Sequence, residues 1–506
     1  MFCFVSCTGE KDAIDSEGTV VVEDTNVETE DTGTSQPDDE SEPTTFSSTL
    51  QATQTQVLLY DRDRTIDNPL KGFLTSYKWG EPSNAMPHRL EFAYVPLSDI
   101  VQSEGEYRFD SSVEPLLQQA SDRGNHLIIR VYIDYPNLES GLPEYLLDIV
   151  SCSSYSDYGG GCSPDYQDPN LQSAILDFIG AFGAAYDGDR RLAFVQLGLL
   201  GFWGEWHTYP HVDWFAADGF QQEVIAAYGD AFQQTPLQIR VPVQDTPQRI
   251  IGFHDDSFAY STLGDVDWFF WSKMMAAGTD RHWEHSPTGG EVFPALQAEL
   301  FSEDYQVGEY SQDFAECVSQ THATYMINYN AFHSYSAEQQ VQAEEISMSM
   351  GYEYTVEQVS VEVGALHDMT VDIRVSVFVR NSGVSPFYYP LHLTLHSEEG
   401  QTWLLQSELN ELLPSAEAEE YAIVLESVPA SLLKSNFFLS LDAEILLEEQ
   451  RIRFANVEDI DGRIYTDVHF ACQYDSESYG LGESYDEVCF CDVDGIFRTV
   501  VGEECE

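Results

Sequence analysis

Eight short apolar runs of strand character alternate with amphipathic or loop stretches between residue 57 and about residue 345. The runs cover residues 72–77, 91–97, 126–133, 192–200, 237–241, 250–253, 290–293 and 323–328. Helical patterns separate several of them, over residues 113–123, 171–186 and 220–234. Nearly continuous apolar strands that alternate with helices indicate a parallel sheet covered on both faces. The pattern therefore predicts an α/β fold of the (β/α)8 TIM-barrel type, with a doubly wound open sheet as the alternative.

The pattern changes to alternation of apolar and polar residues after Tyr352. Runs of this kind cover residues 359–363, 370–379 and 391–395, with turn signals between them. Strands at this spacing without helices predict an antiparallel β-sandwich. We therefore expect four regions, which are an amino-terminal segment 1–56, a barrel 57–348 as the candidate catalytic domain, a β-sandwich accessory domain 349–470 and a cysteine-rich acidic tail 471–506.

The amino-terminal segment resembles a lipid-anchored tether. Val5-Ser6-Cys7 is similar to the lipid-attachment box at the end of a bacterial signal peptide. Residues 8–56 are rich in Thr, Ser, Asp and Glu, so they are expected to form a disordered acidic spacer. These features predict an exported protein, either a cell-surface or outer-membrane lipoprotein anchored at Cys7 or a secreted protein.

The charge balance is strongly acidic, with 22 Lys and Arg against 87 Asp and Glu and a formal net charge of −65. Such a chain repels nucleic acids, and anionic lipid headgroups are disfavoured for the same reason. We therefore expect no nucleic-acid partner and no membrane contact other than a lipid anchor at Cys7. Hydrophobic residues make up 43% of the chain, which is enough for a packed core.

The cysteines indicate disulfides rather than a metal site. Cys152 and Cys162 flank a loop rich in Ser, Tyr and Gly, so a local disulfide is expected there. Disulfides are also the expected cross-links of the acidic tail, which contains Cys472, Cys489, Cys491 and Cys505. Zinc sites need thiolate pairs at CxxC-like spacing, and Cys489-Phe-Cys491 is one residue short of that spacing.

The strongest candidate for chemistry follows the fourth run, where the chain reads Gly201-Phe-Trp-Gly-Glu-Trp-His207. Barrel enzymes place their sites at the carboxyl ends of the strands. Trp203 and Trp206 offer flat apolar faces on which sugar rings can stack. Glu205 lies between them, and desolvation raises the pKa of a carboxyl group towards the range of a general acid. The alternative is that the tryptophans belong to the core and Glu205 forms a structural salt bridge.

Glycoside cleavage needs a second carboxylate across the scissile bond. Glu291 in the seventh run is the candidate, and strands four and seven are the positions used by the large retaining-glycosidase superfamily on this barrel. A retaining mechanism is therefore favoured over an inverting one. Asp255 and Asp256 are the rival second carboxylate, although an Asp-rich helix cap explains them equally well.

Other polar residues lie at or just after strand ends. Arg130 is expected to orient Glu291 or another site carboxylate through a bidentate pair, or to form a structural ion pair inside the barrel. The further candidates for substrate binding are His207, Tyr209, His254 and Asn328. No metal-binding spacing of histidines and no nucleotide-binding motif is present in the sequence, so no metal and no cofactor are expected.

Six motifs occur in the order Asn68-Pro-Leu-Lys-Gly-Phe73, Tyr94-Val-Pro-Leu97, Tyr107-Arg-Phe-Asp110, Gly201-Phe-Trp-Gly-Glu-Trp-His-Thr208, Gly252-Phe-His-Asp-Asp-Ser257 and Gly289-Gly-Glu291. Over residues 60–465 they resemble a bacterial family of exported proteins catalogued only as a domain of unknown function. That family is similar to barrel glycoside hydrolases with a carboxyl-terminal β-sandwich, and it often accompanies polysaccharide-handling proteins. Lys71 replaces the more usual Arg, and Gly204 stands where the retaining superfamily has an Asn that binds the sugar 2-hydroxyl.

The sequence as a whole therefore predicts an exported glycoside hydrolase that acts on a polysaccharide or oligosaccharide by a two-carboxylate mechanism. Glu205 is the expected acid/base, Glu291 the nucleophile and Arg130 the orienting residue. The expected sugar platform consists of Trp203, Trp206 and Tyr209. The alternative is a non-catalytic glycan-binding lipoprotein of the cell surface on the same scaffold.

Overall fold

The computed structural model describes residues 52–242, 251–364, 367, 370–429, 432–433, 435–466, 500–501 and 504–505. In chain order, the strands are β1 Ala52–Val57, β2 Gly72–Leu74, β3 Leu90–Pro96, β4 Val101–Ser103, β5 Glu106–Tyr107, β6 His126–Tyr132, β7 Cys152–Tyr155, β8 Gly161–Pro164, β9 Leu192–Gln196, β10 Leu237–Ile239, β11 Gly252–Phe258, β12 Thr288–Val292, β13 Tyr325–Ile327, β14 Tyr354–Val363, β15 Thr370–Asn381, β16 His392–Ser397, β17 Thr402–Gln406, β18 Glu419–Pro429, β19 Phe437–Asp442, β20 Arg463–Thr466, β21 Val500–Val501 and β22 Glu504–Cys505.

The α-helices are α1 Leu97–Ile100, α2 Phe109–Ser112, α3 Glu114–Asp122, α4 Pro169–Tyr186, α5 Asp218–Ala231, α6 Phe270–Ala277, α7 Phe314–Thr321, α8 Tyr329–His333 and α9 Ala337–Ser349. Single turns of 3-10 helix cover Arg62–Thr65, Tyr77–Trp79, Glu144–Leu146, Asp157–Gly159, Val212–Trp214, His282–Glu284 and Leu409–Glu411.

Eight parallel strands form a closed barrel in the order β2-β13-β12-β11-β10-β9-β6-β3. A parallel bridge between Thr75 and Glu91, with a hydrogen bond from the Phe92 amide to the Thr75 carbonyl at 3.0 Å, joins the last strand to the first. The eight strands coincide with the eight predicted runs and follow one another around the ring in sequence order. The prediction of a (β/α)8 barrel is confirmed.

The three predicted helices are present as α3, α4 and α5. Helix α4 begins at Pro169, and proline suits this first position because the amide that it lacks has no hydrogen-bond partner in the first turn of a helix. The Asp168 side chain caps the helix by accepting a hydrogen bond from the Asn170 amide. Its buried face includes Ile175 and Phe178, which pack with the buried strands β6 and β9 in one hydrophobic cluster. Apolar periodicity therefore placed these elements correctly because each helix buries a single stripe.

Two four-stranded antiparallel sheets consist of strands β14 to β20, which follow the barrel in the chain, together with β1, which precedes it. Their strand orders are β1-β14-β15-β18 and β17-β16-β19-β20. This arrangement confirms the predicted β-sandwich. Strands β14 and β15 alternate between buried and partly buried positions, as the sequence pattern of this region requires.

Strand β1 corrects the carboxyl end of the predicted tether 8–56. Ala52–Val57 pairs antiparallel with residues 358–363 of β14 along its whole length. It is the edge strand of its sheet and consists largely of Thr and Gln, with Val57 70% exposed. Main-chain pairing rather than apolar burial holds such a strand, so hydrophobic patterning gave no sign of it.

The sandwich packs against the amino-terminal ends of the barrel strands. His126, the first residue of β6, places its Nε2 2.7 Å from Oε1 of Gln450, whose Nε2 donates to the Gly124 carbonyl at 2.9 Å. The Tyr389 hydroxyl donates to the Ala193 carbonyl at the start of β9. The sandwich therefore lies at the end of the barrel opposite to the carboxyl ends of its strands.

Buried Lys71 fastens the same junction. Its ammonium donates to the carbonyls of Met348 at 2.8 Å and Tyr352 at 2.7 Å, on either side of the link between the two domains. Burial lowers the pKa of Lys71 to about 8. The residue that departs from the more usual arginine in this motif thus has a structural contact of its own.

The structure contains the predicted disulfide between Cys152 and Cys162, which joins β7 and β8. Cys317 is a buried free thiol. The cysteine side chains of the tail and the proposed lipid-attachment residue Cys7 lie outside the described residues. In the described part of the chain, no helix combines the length and the apolar character that a bilayer span requires.

Phe194 tests whether the barrel and the sandwich share a core. It is 1% exposed and stacks on Tyr325 of the barrel and Tyr389 of the sandwich, at centroid distances of 5.6 and 6.5 Å. We expect Phe194→Ala to lower the free energy of unfolding by about 3–5 kcal/mol because it leaves a cavity. Both domains should melt together in calorimetry at a lower temperature.

The matched control is Val212→Ala, because Val212 is 67% exposed. Its effect should stay within about 0.5 kcal/mol. Two separate transitions, with only one of them shifted by Phe194→Ala, would contradict a shared core.

Candidate active site

The guanidinium of Arg130 lies fully buried at the centre of the barrel. Its Nε donates to Oε1 of Gln196 at 2.7 Å, its Nη1 to the Tyr94 hydroxyl at 3.0 Å, and its Nη2 to Oδ2 of Asp256 at 2.8 Å. Tyr94, Arg130 and Gln196 are register partners on three adjacent strands, so all three side chains point inward at one level. The sequence predicted Arg130 but not its neighbours Tyr94 and Gln196.

A belt of polar side chains continues this level around the barrel. Gln196 donates from Nε2 to the Tyr325 hydroxyl at 2.9 Å, and that hydroxyl donates to Oε1 of Gln238. Gln238 in turn donates to the carbonyls of Phe253 and Pro287, each at 3.1 Å. Its members form a rigid floor beneath the site. The signal for Gln196 in the sequence was a glutamine inside an otherwise apolar run, whereas the run that contains Gln238 also contains Arg240.

Asp256 supplies the negative charge that balances Arg130. Burial alone raises the pKa of this carboxyl, but the positive charge of Arg130 holds it well below its usual range. Nδ1 of His254 lies 3.0 Å from Oδ1 of Asp256 and 3.0 Å from Nη2 of Arg130. Burial lowers the pKa of His254 to about 4, so the ring is neutral at physiological pH. Both residues are thus supports of Arg130 rather than exposed binding groups.

Asp255 points away from this network, as expected for a neighbouring strand residue. It is buried, and it accepts hydrogen bonds from Oγ1 of Thr262 at 2.7 Å and from the Ser257 amide at 3.0 Å. Both aspartates lie within strand β11, so the helix-cap alternative for the Asp pair is wrong. The hydrogen bonds of Asp255 place it as an anchor of the loop that follows this strand.

The loop after β9 is wound tightly by residues with positive φ. Gly201, Trp203, Gly204 and Trp206 have φ values of 79°, 54°, 70° and 59°. A Cβ on Gly204 would lie 3.0 Å from the Gly198 Cα and 3.5 Å from Cδ of Arg130. A side chain at this position would press on the backbone of Gly198, so glycine fits the loop without any adjustment of its neighbours.

Glu205 projects from this loop into the site. One carboxyl oxygen lies 3.5 Å from Nη1 of Arg130, and the other lies 3.6 Å from Nε2 of His207. The Glu205 side chain is 15% exposed, and the His207 side chain is 36% exposed. Arg130 thus contacts Glu205, whereas the sequence had paired it first with Glu291.

Glu291 reaches the site from β12, two residues after Gly289. A Cβ on Gly289 would meet the Tyr325 ring at 2.2 Å, and a Cβ on Gly290, where φ is 147°, would meet the Asp255 carbonyl oxygen at 2.1 Å. The two glycines therefore allow β12 to pass over crowded neighbours. Gln297 donates to Oε1 of Glu291 at 3.3 Å.

The charges around Glu291 favour its protonated form. Burial first, and then the negative charges of Asp256 and Glu205, raise its pKa to about 8, against the opposing charge of Arg130. The carboxyl of Glu205, in the loop after β9, thus acts on the carboxyl of Glu291 in β12. Tyr135, which the sequence did not indicate, lies in the same field, since burial and the charges of Glu291 and Glu205 raise its pKa to about 12.

The predicted aromatic platform is only partly placed at the site. Trp203 lies at the rim with its ring 6.4 Å from Tyr135, and Tyr209 is 63% exposed. Trp206 is 4% exposed and donates from its indole nitrogen to the Leu197 carbonyl at 2.6 Å. Trp206 therefore belongs to the hydrophobic core, which corrects its assignment to the platform.

Asn328 is another predicted binding residue that has a structural contact. It begins helix α8, where its Oδ1 accepts from the Ala331 amide at 3.2 Å and its Nδ2 donates to the Tyr335 hydroxyl at 3.0 Å. The side chain is fully buried. Its polar atoms are thus used within the fold, which corrects the prediction that Asn328 binds substrate.

Two further features bear on what the site can hold. Among the described residues, no group of three or more His, Cys, Asp or Glu is arranged to bind a metal ion. A cavity of about 730 Å³ lies apart from the candidate residues and is lined by Leu263, Trp271, Met275, Val307 and Glu316, among others.

No protein-family model and no curated protein sequence matches this chain. Among solved structures, the chain is similar to GH5_18 from Bifidobacterium longum, at 13% identity over 47% of this chain and 59% of that one, with a TM-score of 0.25. A variant of that protein was solved in complex with Manb1-4GlcNAc. The chain is also similar to xylanase XynB from Paenibacillus barcinonensis, at 10% identity over 51% and 83% of the two chains, with a TM-score of 0.26.

A family 39 glycoside hydrolase from Bacteroides cellulosilyticus is similar over 71% of this chain and 82% of its own length, at 9% identity and a TM-score of 0.31. This chain spans less than two thirds of the length of the Bifidobacterium protein. The resemblance to the exported family of unknown function remains a prediction. The assignment of function therefore depends on the geometry of the site.

Glu291→Gln tests the charge balance of the site through stability. Between the ordinary pKa of 4.5 and about 8, the unfolded chain releases the Glu291 proton while the folded protein keeps it. Stability contributed by this group is therefore complete at low pH and decreases as pH rises through that window. Glutamine cannot ionise, so we expect the variant to melt at a higher temperature than the wild type near neutral pH, with the difference vanishing at about pH 4.

Glu299→Gln is the matched control, since Glu299 lies exposed in the loop that follows the same strand. It should change stability by no more than about 0.5 kcal/mol at either pH. Equal melting temperatures of the Glu291→Gln variant and the wild type at both pH values would show that Glu291 is ionised in the folded protein.

Proposed function

We propose that this protein is a glycoside hydrolase that cleaves a neutral polysaccharide or oligosaccharide with the carboxyl groups of Glu205 and Glu291. The observation that carries the proposal is the pairing of two carboxyls in unlike surroundings. Glu205 follows β9, the fourth strand of the barrel, and Glu291 lies in β12, the seventh. One lies 3.5 Å from a buried guanidinium, and the other has its pKa raised to about 8. Two carboxyls whose environments favour opposite protonation states are what glycoside cleavage requires.

The environments favour Glu291 as the general acid and Glu205 as the carboxylate. Glu291 faces the negative charges of Asp256 and Glu205, whereas Glu205 is next to the positive charge of Arg130. This division reverses the roles expected from the sequence, where Glu205 is the acid/base and Glu291 the nucleophile. The roles are exchanged because Arg130 contacts Glu205, in the loop after β9.

In this mechanism, Glu291 gives its proton to the glycosidic oxygen as the bond to the anomeric carbon breaks. The Glu205 carboxylate stabilises the positive charge that develops on the sugar and bonds to the anomeric carbon in a retaining reaction. The ionised Glu291 then takes a proton from a water molecule whose oxygen bonds to the anomeric carbon. The bond between that carbon and Glu205 breaks at the same time, which releases the sugar and restores both groups. In this mechanism, Arg130 and the Tyr94 hydroxyl maintain the different charges of Glu205 and Glu291 and do not themselves contact the glycosidic oxygen.

The substrate should be an uncharged sugar. Glu205 places negative charge at the site, whereas Asp256 is paired with the buried Arg130 and the protonated Glu291 adds no positive charge. An anionic sugar would therefore be repelled rather than bound. Trp203 at the rim supplies an apolar face for a sugar ring, with Tyr209 and His207 as exposed polar neighbours.

An exported location is part of the proposal. The Cys152–Cys162 disulfide supports it, because disulfides persist in oxidising compartments. A lipid anchor at Cys7 would hold the enzyme at the cell surface, where a polysaccharide is accessible.

Non-catalytic glycan binding is the second candidate function. Gly204 favours it, since glycine has no side chain that could contact the sugar 2-hydroxyl as the asparagine of the retaining superfamily does. This candidate predicts affinity for a polysaccharide without turnover. Binding should then survive Glu205→Gln but decrease in Trp203→Ala.

Replacement of either carboxyl should abolish most of the hydrolysis. With a panel of neutral oligosaccharides, we expect Glu205→Gln and Glu291→Gln each to lower kcat by about 10²–10⁴-fold, because general acid and carboxylate chemistry contribute on that scale. Release of reducing ends is the measurement, and exposed Glu299→Gln is the control. Unchanged activity in both variants would remove the assignment.

Substrates with different leaving groups separate the two roles. Dinitrophenyl glycosides depart without protonation, so Glu291→Gln should retain most of its activity on them, whereas Glu205→Gln should not. Proton NMR of the first product formed gives the stereochemical outcome. Activity on dinitrophenyl glycosides that survives only in Glu205→Gln would restore the roles expected from the sequence.

The pH profile should show the same proton. The acid must be protonated, so kcat/KM should decrease above about pH 8, by about tenfold per pH unit. The Glu291→Gln variant acting on a dinitrophenyl glycoside has no such proton and should show no decrease in that range. A wild-type profile that is flat well above pH 8 would contradict Glu291 as the acid.

A further inference from the structure

A disulfide-closed hairpin stands beside the catalytic loop. Strands β7 and β8 pair antiparallel from Cys152 opposite Pro164 to Tyr155 opposite Gly161, and the Cys152–Cys162 disulfide closes the pair. The hairpin lies in the chain between strand β6 and helix α4, so it belongs to the loops at the carboxyl ends of the barrel strands. Neither the proposed mechanism nor the fold makes use of it so far.

Three contacts attach the hairpin to the loop that carries Glu205. The Tyr155 hydroxyl donates to Oδ1 of Asp134 at 2.6 Å, and the Asp134 carbonyl accepts from the Trp203 amide at 2.8 Å. The Tyr155 ring packs on Phe202 at a centroid distance of 4.6 Å. Asp134 thus connects the hairpin and the catalytic loop through one residue.

Tyr158 occupies the tip of the hairpin in a left-handed backbone conformation, with φ 54° and ψ 21°. Glycine adopts this conformation at lower cost than tyrosine. Its ring is nonetheless 48% exposed and lies 4.9 Å from the Trp203 ring at an interplanar angle of 64°. This position therefore places an aromatic face next to Trp203, although the left-handed backbone conformation is strained for a tyrosine.

We propose that the hairpin Cys152–Pro164 is a carbohydrate-binding wall of the site, in which the rings of Tyr158 and Trp203 form a corner that holds one sugar ring beside Glu205. A pyranose that stacks on one ring of such a corner presents its edge to the other ring. The inference deepens the proposed function and rests on it for the identity of the ligand.

The polar groups around the corner suit a neutral sugar. Oδ2 of Asp157 lies 2.8 Å from Nε2 of His211, and the side chains of Asp157 and His207 are 37% and 36% exposed. Burial, the neighbouring Tyr209 and Asp157, and then Glu205 raise the pKa of Tyr158, which places its hydroxyl in the field of the catalytic carboxyl. Exposed hydroxyl, imidazole and carboxylate groups beside apolar faces match the alternating faces and hydroxyls of a sugar.

Tyr158→Gly tests the wall, with Tyr158→Phe as the matched control that keeps the ring. The probes are cellohexaose, xylohexaose and mannohexaose, and the measurement is Kd by titration calorimetry together with KM where cleavage occurs. We expect glycine to raise Kd and KM by about tenfold, and phenylalanine to change them by no more than about twofold. The melting temperature of the glycine variant should not decrease, because the backbone strain is relieved. If Tyr158→Gly fails to fold, Tyr158→Asn serves in its place, since asparagine tolerates the left-handed region.

The disulfide provides an independent variant. Replacing both cysteines, in Cys152→Ser/Cys162→Ser, should raise Kd in the same direction because the tip loses its closure. An affinity for all three hexasaccharides that neither Tyr158→Gly nor the double cysteine variant changes would overturn the wall.

The outcomes separate this inference from the proposed hydrolysis. Binding that weakens in Tyr158→Gly, without any cleavage by the wild type, supports the wall and removes the hydrolase. Cleavage whose KM is the same in Tyr158→Gly supports the hydrolase and removes the wall. Absence of both binding and cleavage with all three hexasaccharides overturns the wall.

Discussion

The site depends on one buried positive charge. Taking a guanidinium out of water is expensive, and Arg130 remains charged because Asp256 balances it and because Gln196 and Tyr94 accept its other protons. Asp256 lies 2.8 Å from that guanidinium, and Arg240 lies 3.7 Å from the same carboxyl. Burial and the negative charges of Asp256 and Glu205 raise the pKa of Glu291 to about 8, so Glu291 keeps its proton near neutral pH.

Such a site needs a rigid scaffold. The amino-terminal end of the barrel is fixed by a shared hydrophobic core, whereas the loops at the carboxyl end contain strained backbone conformations. At the amino-terminal end, the sandwich and barrel share one hydrophobic cluster that includes Phe194, Tyr325 and Val377. At the carboxyl end, the catalytic loop and the hairpin hold non-glycine residues in left-handed conformations, among them Trp203 and Tyr158. Strain of this kind persists where the surrounding structure determines the backbone. The tightly packed amino-terminal end of the barrel thus helps to hold the strained backbone at its carboxyl end.

The barrel, the sandwich and one disulfide were predictable from the sequence because apolar periodicity and cysteine spacing are local signals. The edge strand Ala52–Val57 was not predictable, since backbone pairing holds it without apolar side chains. Within the site, Arg130, Glu205 and Glu291 were identified, but Gln196 and Gln238 were not, because a polar residue in an apolar run does not reveal its partners. Trp203 and Trp206 could not be told apart in sequence. Left-handed turns between them place one indole at the rim and the other in the core.

Gly204 brings the loop after β9 close to Arg130. Here the backbone at Gly204 packs on Gly198 and on the stem of Arg130, so the guanidinium comes within 3.5 Å of Glu205. Glu291 instead faces the negative charges of Asp256 and Glu205, which raise its pKa together with burial. This close packing sets the two carboxyls in different surroundings, with Glu205 next to the guanidinium and Glu291 facing other carboxylates.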